Sequence, residues 1–343
     1  MRIAQIAPLM EAVPPKLYGG TERIVAYLTD ELVAMGHEVS LFASGDSVTA
    51  ARLEAAYPQA LRLDPMIRDH VAPLVAMLET VAQRAHEFDI IHLHCDYLAF
   101  PVLARCGVPF LATLHGRLDL PELRLVYKAF PDVPVVSISD SQREPLSGPR
   151  YVATVYHGLP EQLLSAGEGA GGYLAFLGRI SPEKAPDRAI RIAARAGMKL
   201  RIAAKVDAAD REYFAAEVEP LLAEPHVDFV GEIAEHQKSE FLGNAAALLF
   251  PIAWPEPFGL AMIEAMACGT PVIALRNGSV PEVIDDGVTG LIVDNEEAAA
   301  PAAQQIHMLD RTVIRAVFEQ RFTARRMAQD YIRVYQKLIS AQT

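Results

Sequence analysis

Short apolar runs rich in β-branched residues alternate along this chain with longer segments whose apolar positions recur every three or four residues. The short runs read as buried strands. In the first half they are Arg2–Ala7, Glu38–Ala43, Ile90–His94, Pro109–Leu114, Val135–Ser139 and Val152–Tyr156. Between the first two, Thr21–Met35 carries Ile24, Val25, Leu28, Leu32 and Val33 at helical spacing, and Gly36 follows where a left-handed cap ends a helix. A small, glycine-rich stretch, Ser165–Gly172 (SAGEGAGG), reads as a linker, after which the pattern restarts. The second set of strands is Leu174–Leu177, Leu200–Ala204, Val227–Val230, Leu248–Pro251 and Val272–Ala274. A closing amphipathic helix spans about Ala324 to Ile339, with Met327, Tyr331, Val334, Tyr335 and Leu338 on one face. Strands that alternate with crossover helices build parallel sheets, so the expected class is α/β. Two such halves joined by a hinge imply a cleft faced by the carboxyl ends of both sheets.

A length of 343 residues suffices for two domains with a core each. The longest apolar stretch, Ala245–Trp254, is half of the roughly 20 residues that a membrane-spanning helix needs. The N-terminus MRIAQIAP reads as a first buried strand, not as a signal peptide. Three scattered cysteines fit a reduced, cytoplasmic setting. A net charge of −12 repels polyanions and argues against nucleic acid as a partner, so a phosphate-bearing ligand would need a local basic site.

The segment Trp254–Gly269 (WPEPFGLAMIEAMACG) is the most informative. Glu256 lies in a loop restrained by Pro255 and Pro257, and a helix is expected to begin near Phe258. Gly259, Leu260 and Ala261 would then present free backbone N–H groups, a setting that suits a phosphate or sugar oxygen. Glu264 follows inside the helix, and of the two carboxylates one would hold a sugar and the other a ribose through their vicinal hydroxyls. In Leu177–Asp187 (LGRISPEKAPD), Arg179 and Lys184 fall on the loop after a strand and could neutralise a diphosphate. In Lys16–Glu22 (KLYGGTE), Gly19 and Gly20 permit close approach of the backbone, and Thr21 could cap the next helix. Gly167, Gly169 and Gly172 satisfy G-x-G-x-x-G but precede a strand, which is the wrong context for a dinucleotide site.

PEPFGLAMIEAMACGTPVIA resembles the E-x7-E region of retaining glycosyltransferases with the GT-B fold, the large family four of group 1 type. LGRISPEK resembles that family's Arg and Lys segment, and YGGTER, TLHG (Thr113–Gly116) and GSVPEVIDDGVTG (Gly278–Gly290) follow its order and spacing. The resemblance implies two Rossmann-like domains: 1–160 binds the acceptor, 161–322 binds the nucleotide-sugar donor, and a helix over 323–343 crosses back to the first. It implies that Arg179 and Lys184 bind the diphosphate and stabilise the leaving group, that Glu264 holds the ribose, and that Glu256 holds the transferred sugar. It places Gly19 and Gly20 toward the diphosphate or acceptor, His115 beside the sugar, and Phe258, Gly259 and Leu260 among the donor contacts.

The implied reaction moves a hexose from a nucleotide-diphosphate sugar to a hydroxyl acceptor with retention, UDP-glucose being favoured as donor and GDP-mannose next. The sugar nucleotide is a co-substrate, and no other cofactor is expected. No D-x-D occurs, so the two cations would serve electrostatically in place of a metal. No transmembrane segment is expected, though peripheral membrane contact is compatible with this reading. Ala185 stands where the family often has glycine, and Tyr156–Gly158 replaces its usual asparagine–glycine pair. The alternatives are a catalytically idle nucleotide-sugar-binding protein, or a metal-dependent hydrolase that uses His92, His94 and Asp96 of HLHCD.

Overall fold

The computed structural model describes residues 1–16 and 19–341; Leu17 and Tyr18 of KLYGGTE and the last two residues lie outside them. The chain divides into two compact units, Met1–Pro160 with Ala324–Thr343, and Glu161–Thr323. The first holds a parallel sheet of seven strands: β1 (Arg2–Ile6), β2 (Glu38–Ser44), β3 (Arg52–Tyr57), β4 (Ile90–Leu93), β5 (Phe110–Leu114), β6 (Pro134–Ser137) and β7 (Arg150–Thr154). Their order is β3-β2-β1-β4-β5-β6-β7. The central strands are apolar and buried on both faces, as a sheet covered by helices requires. Strand β3 escapes the hydrophobic pattern because it is an edge strand, half-exposed and charged at Arg52 and Glu54.

The Gly20–Ala34 helix buries Ile24, Val25, Leu28 and Leu32. Thr21 falls inside its first turn, and Gly19 occupies the cap position, so Thr21 is not the cap expected from the sequence. The closing helix, Ala324–Ser340, belongs to this unit and is docked by polar contacts as well as by packing. Tyr335 and Tyr331 are fully buried; the Tyr335 hydroxyl is 2.7 Å from His92 Nδ1, and the Tyr331 hydroxyl is 2.8 Å from Thr113 Oγ1.

The second unit holds β8 (Tyr173–Arg179), β9 (Lys199–Lys205), β10 (Val227–Gly231), β11 (Ala247–Phe250), β12 (Val272–Leu275) and β13 (Gly290–Val293), parallel in the order β10-β9-β8-β11-β12-β13. Its core joins Leu174, Phe176, Ile202 and Leu249 of the sheet to Ala189, Ile190 and Ala193 of the Pro186–Ala196 helix.

Ser165–Gly172 is not a loose linker. It packs inside this unit, where Gly167 N–H donates to the Cys268 carbonyl and Gly169 N–H to that of Gly243. Arg311 Nε in turn donates to the Gly167 carbonyl at 2.8 Å. A Cβ on Gly167 would stand 2.4 Å from the Gly243 oxygen, so close backbone packing accounts for the glycine that a composition-based reading assigns to flexibility.

Candidate functional site

In each sheet the chain reverses its winding at the middle, between β1 and β4 in the first unit and between β8 and β11 in the second. Open α/β sheets bind ligands outside the carboxyl ends of strands at such switch points. The predicted site residues cluster at both.

In the second unit, β8 ends at Arg179, and the loop after it carries Lys184 through a turn closed by Lys184 N–H donating to the Ser181 carbonyl. Ala185 then adopts φ 51°, a left-handed conformation that ordinarily favours glycine, before Pro186 opens the next helix. Strand β11 ends at Phe250, and the loop beyond it carries Glu256, which is only 8% exposed. Lys184 Nζ donates to Glu256 Oε2 at 2.6 Å, and Trp254 Nε1 donates to the same oxygen at 2.7 Å. The two loops are also tied through the backbone, Ala253 N–H donating to the Glu183 carbonyl. Gly278 braces the Glu256 loop from the far side: at φ 53°, its missing Cβ would lie 2.3 Å from Glu256 N. Ser279 fixes the same loop, its N–H donating to the Glu256 carbonyl and its hydroxyl to the Phe258 carbonyl.

The helix starts at Leu260, two residues later than expected, with Gly259 at the cap at φ 81°. Phe258 is a core residue, 2% exposed, its ring edge-on to Phe322 at 6.2 Å. Its side chain is thus packed into the core of its unit, unlike the solvent-facing donor contact expected from the resemblance. Glu264 is buried in the helix and accepts from Lys238 Nζ at 2.7 Å, and Lys238 also pairs with Glu235 at 3.1 Å. Lys238 is the residue that sequence reasoning misses. In EHQKSEF it reads as a solvated charge, and only the fold turns it onto a buried carboxylate.

Arg179, the other expected cation, is ringed by carboxylates of its own unit. Its guanidinium lies 3.2 Å from Asp210 and at 3.9 and 4.0 Å from Glu183 and Asp207, with about a third of the side chain exposed.

In the first unit, the segments after β1, β4 and β5 surround a pocket of about 340 Å³ whose walls include Leu9, Glu22, His94, Asp96 and His115. His115 Nε2 is 2.9 Å from His94 Nδ1, and His115 stacks on His157 at 5.3 Å. Burial holds the His115 imidazole down at about 3 and His92, His94 and His157 well below their usual value. Gly19 and Gly20 stand at the start of the helix beside this pocket, and a Cβ on Gly19 would press to 2.8 Å on Pro15.

The hydrolase alternative meets a geometric obstacle. Both ring nitrogens of His92 are engaged, by the Tyr335 and Thr113 hydroxyls, and those of His94 by Gln5 and His115. Among the described residues no three His, Cys, Asp or Glu side chains form a group that could hold a metal ion.

Residues 168–321 match the family described as Glycosyl transferases group 1, and residues 18–163 match Glycosyltransferase Family 4. A D-inositol 3-phosphate glycosyltransferase of Frankia alni is 27% identical over 89% of this chain and 88% of its own length. The Mycobacterium tuberculosis protein of the same name is 27% identical over 66% of this chain, which spans just over half (56%) of that relative. Among solved structures, sucrose-phosphate synthase from Thermosynechococcus elongatus superposes with a TM-score of 0.79 at 21% identity, over 99% of both chains. HepE of Anabaena, solved in complex with UDP-glucose, gives 0.73 at 19% identity over 98% of this chain and all of its own. Two Rossmann-like units with these sheets have the GT-B fold, and the chain belongs to the group 1 glycosyltransferases of family four.

Proposed function

We propose that the chain transfers a hexose from a nucleotide-diphosphate sugar to a hydroxyl acceptor, with retention of configuration and without a divalent metal. UDP-glucose is the favoured donor, with GDP-mannose next. The observation that carries this reading is the pair of cation–carboxylate contacts at one switch point, Lys184 with Glu256 and Lys238 with Glu264. The UDP-glucose bound by HepE supports the choice of donor.

In this reading the Glu264 carboxylate accepts from the ribose hydroxyls, and Glu256 accepts from a hydroxyl of the sugar through Oε1, because Oε2 is taken by Lys184 and Trp254. The bond from the anomeric carbon to the diphosphate oxygen breaks while the acceptor oxygen attacks from the same face. The acceptor's proton passes to the departing diphosphate. Negative charge builds on that leaving group, and Lys184 and Arg179 stabilise it as preorganised cations. Gly259 and Leu260 contribute backbone groups at the helix start.

A thermal-shift panel of nucleoside diphosphates and nucleotide sugars tests the donor, since a ligand at a hundred times its Kd adds about 2.7 kcal/mol to the folded state. UDP and UDP-glucose should stabilise the chain most, and transfer should survive excess EDTA. Failure of every nucleotide to stabilise it would overturn the reading. Loss of transfer on chelation, restored by magnesium or manganese, would overturn its metal-free part.

A further inference from the structure

We propose that the first unit's pocket takes a small uncharged hydroxyl compound, of the size of a single sugar or cyclitol ring, as the acceptor, and disfavours one that carries a phosphate. The proposal rests on the glycosyl-transfer reading above and names its second substrate class.

A volume of about 340 Å³ lies at the small end of ligand sites and suits one polyhydroxylated ring. One wall is apolar, with Leu9, Met10, Leu61 and Leu98. The charged groups among the described lining residues are the carboxylates Glu22 and Asp96; no lysine or arginine lines it. The nearby cation Arg62 is already matched, 2.9 Å from Glu11.

Helix starts ordinarily attract phosphates, because their first N–H groups lack partners. Here the start of the Gly20–Ala34 helix already holds the chain's own carboxylate: Glu22 is buried in the first turn, with Oε2 3.3 Å from where a Cβ on Gly19 would stand. Burial pushes the Glu22 carboxyl up, so even one negative charge is poorly solvated there, and a phosphate would bring more. His94 and His115 offer no compensating charge, since desolvation keeps both imidazoles neutral near pH 7, and the third lining histidine, His70, is exposed to solvent. What the pocket's carboxylates do offer is hydrogen bonding to hydroxyls. His115, which lines the pocket, keeps one buried ring nitrogen, Nδ1, with no hydrogen-bond partner among the described residues.

The test takes the full chain, UDP-glucose or GDP-mannose, and matched acceptors: myo-inositol with inositol 3-phosphate, glucose with glucose 6-phosphate, and glycerol with glycerol 3-phosphate. Product is followed by mass spectrometry, and occupancy of the pocket by thermal shift with UDP held saturating. For any pair that is used, the neutral member should show kcat/KM at least tenfold higher, and Asp96→Asn, at the exposed mouth of the pocket, should narrow that gap at least threefold. Where no pair is turned over, the neutral member should still stabilise the UDP-bound chain more than its phosphate. Equal or better use of a phosphorylated member, or stronger stabilisation by it, overturns the proposal. So does silence of every neutral compound in both assays. Failure of the donor reading would show separately, as no stabilisation by UDP or GDP alone.

Discussion

At the scale of single residues, Glu256 and Glu264 are alike in sequence and unlike in setting, which makes their roles separable. Glu264 is assigned to the ribose, which does not react; Glu256 is assigned to the sugar, whose charge and shape change. Interactions equal in ground and transition states alter binding, and those that strengthen in the transition state alter turnover. Glu264→Gln should weaken both the sugar donor and the free nucleoside diphosphate by about 1–3 kcal/mol. Glu256→Gln should spare the diphosphate and lower turnover, and calorimetric titration alongside steady-state kinetics separates the two. The reverse pattern would mean the roles are exchanged. The loop prolines and a strand end draw attention to Glu256, Arg179 and Lys184 in the sequence, whereas Glu264 stands out only through the E-x7-E resemblance. Lys238 does not stand out, because its partner Glu264 is 26 residues away and the contact exists only once both elements fold. Lys238→Met strands a buried carboxylate and should cost about 3–5 kcal/mol. Adding Glu264→Gln should restore most of that in urea unfolding, because the two substitutions share one interaction.

At the scale of elements, alternation of apolar runs is enough to find the buried central strands and two of the four edge strands, β7 and β10, and it misses the other two edges. Arg52–Tyr57 lies at a sheet edge with charged, half-exposed residues, and Gly290–Val293 is a four-residue edge strand that opens on glycine. The helix beyond Glu256 is expected two residues early because Phe258 looks helical, whereas left-handed Gly259 delays the start. Gly278, set in GSVPEVIDDGVTG by resemblance alone, has a physical reason to be glycine, since its bare Cα lets the chain lie against the backbone of Glu256. Gly278→Ala must push that loop aside. A displacement near 1 Å should lower turnover roughly a hundredfold. Gly287→Ala is the control, since Gly287 also has positive φ (77°) but nothing within 4 Å of its would-be Cβ. It should cost about 1–2 kcal/mol of stability and leave turnover alone. Equal kinetics in the two variants would remove Gly278 from the support of the site.

At the scale of the whole molecule, the sequence shows ten histidines and no hint that four of them share one core. In the first unit His92, His94 and His157 are buried and His115 is half-buried against them, and desolvation holds all four neutral; in the second unit His226 is half-buried and His236 and His307 are exposed. Sequence could pair His92 with His94 on one strand face; it could not bring in His115 and His157 from other loops. The grouping has a consequence for stability. Each of the four has a folded pKa below its unfolded value near 6.5, so unfolding takes up protons once the pH falls below that value. Their contribution is fully present above pH 6.5 and drains away toward the folded values, about 3 for His115. Each histidine removes up to about 1.4 kcal/mol per pH unit in that window. Glu22 and Asp96 act in the opposite direction, because their raised carboxyls favour the folded state at low pH. With His37 also lowered and Glu31 also raised, the histidines of the first unit outnumber these carboxylates five to three, so its stability should fall as the pH drops through 6 toward 5. Hydrogen exchange across pH 7.5 to 5.5 should therefore show β1, β4 and β5 losing protection well ahead of β8, β11 and β12 once the intrinsic pH dependence of exchange is removed. His157→Phe should flatten the slope by about one histidine's share. Equal losses in both units, or protection in the first that is indifferent to pH, would mean that the buried imidazoles do not set its acid limit.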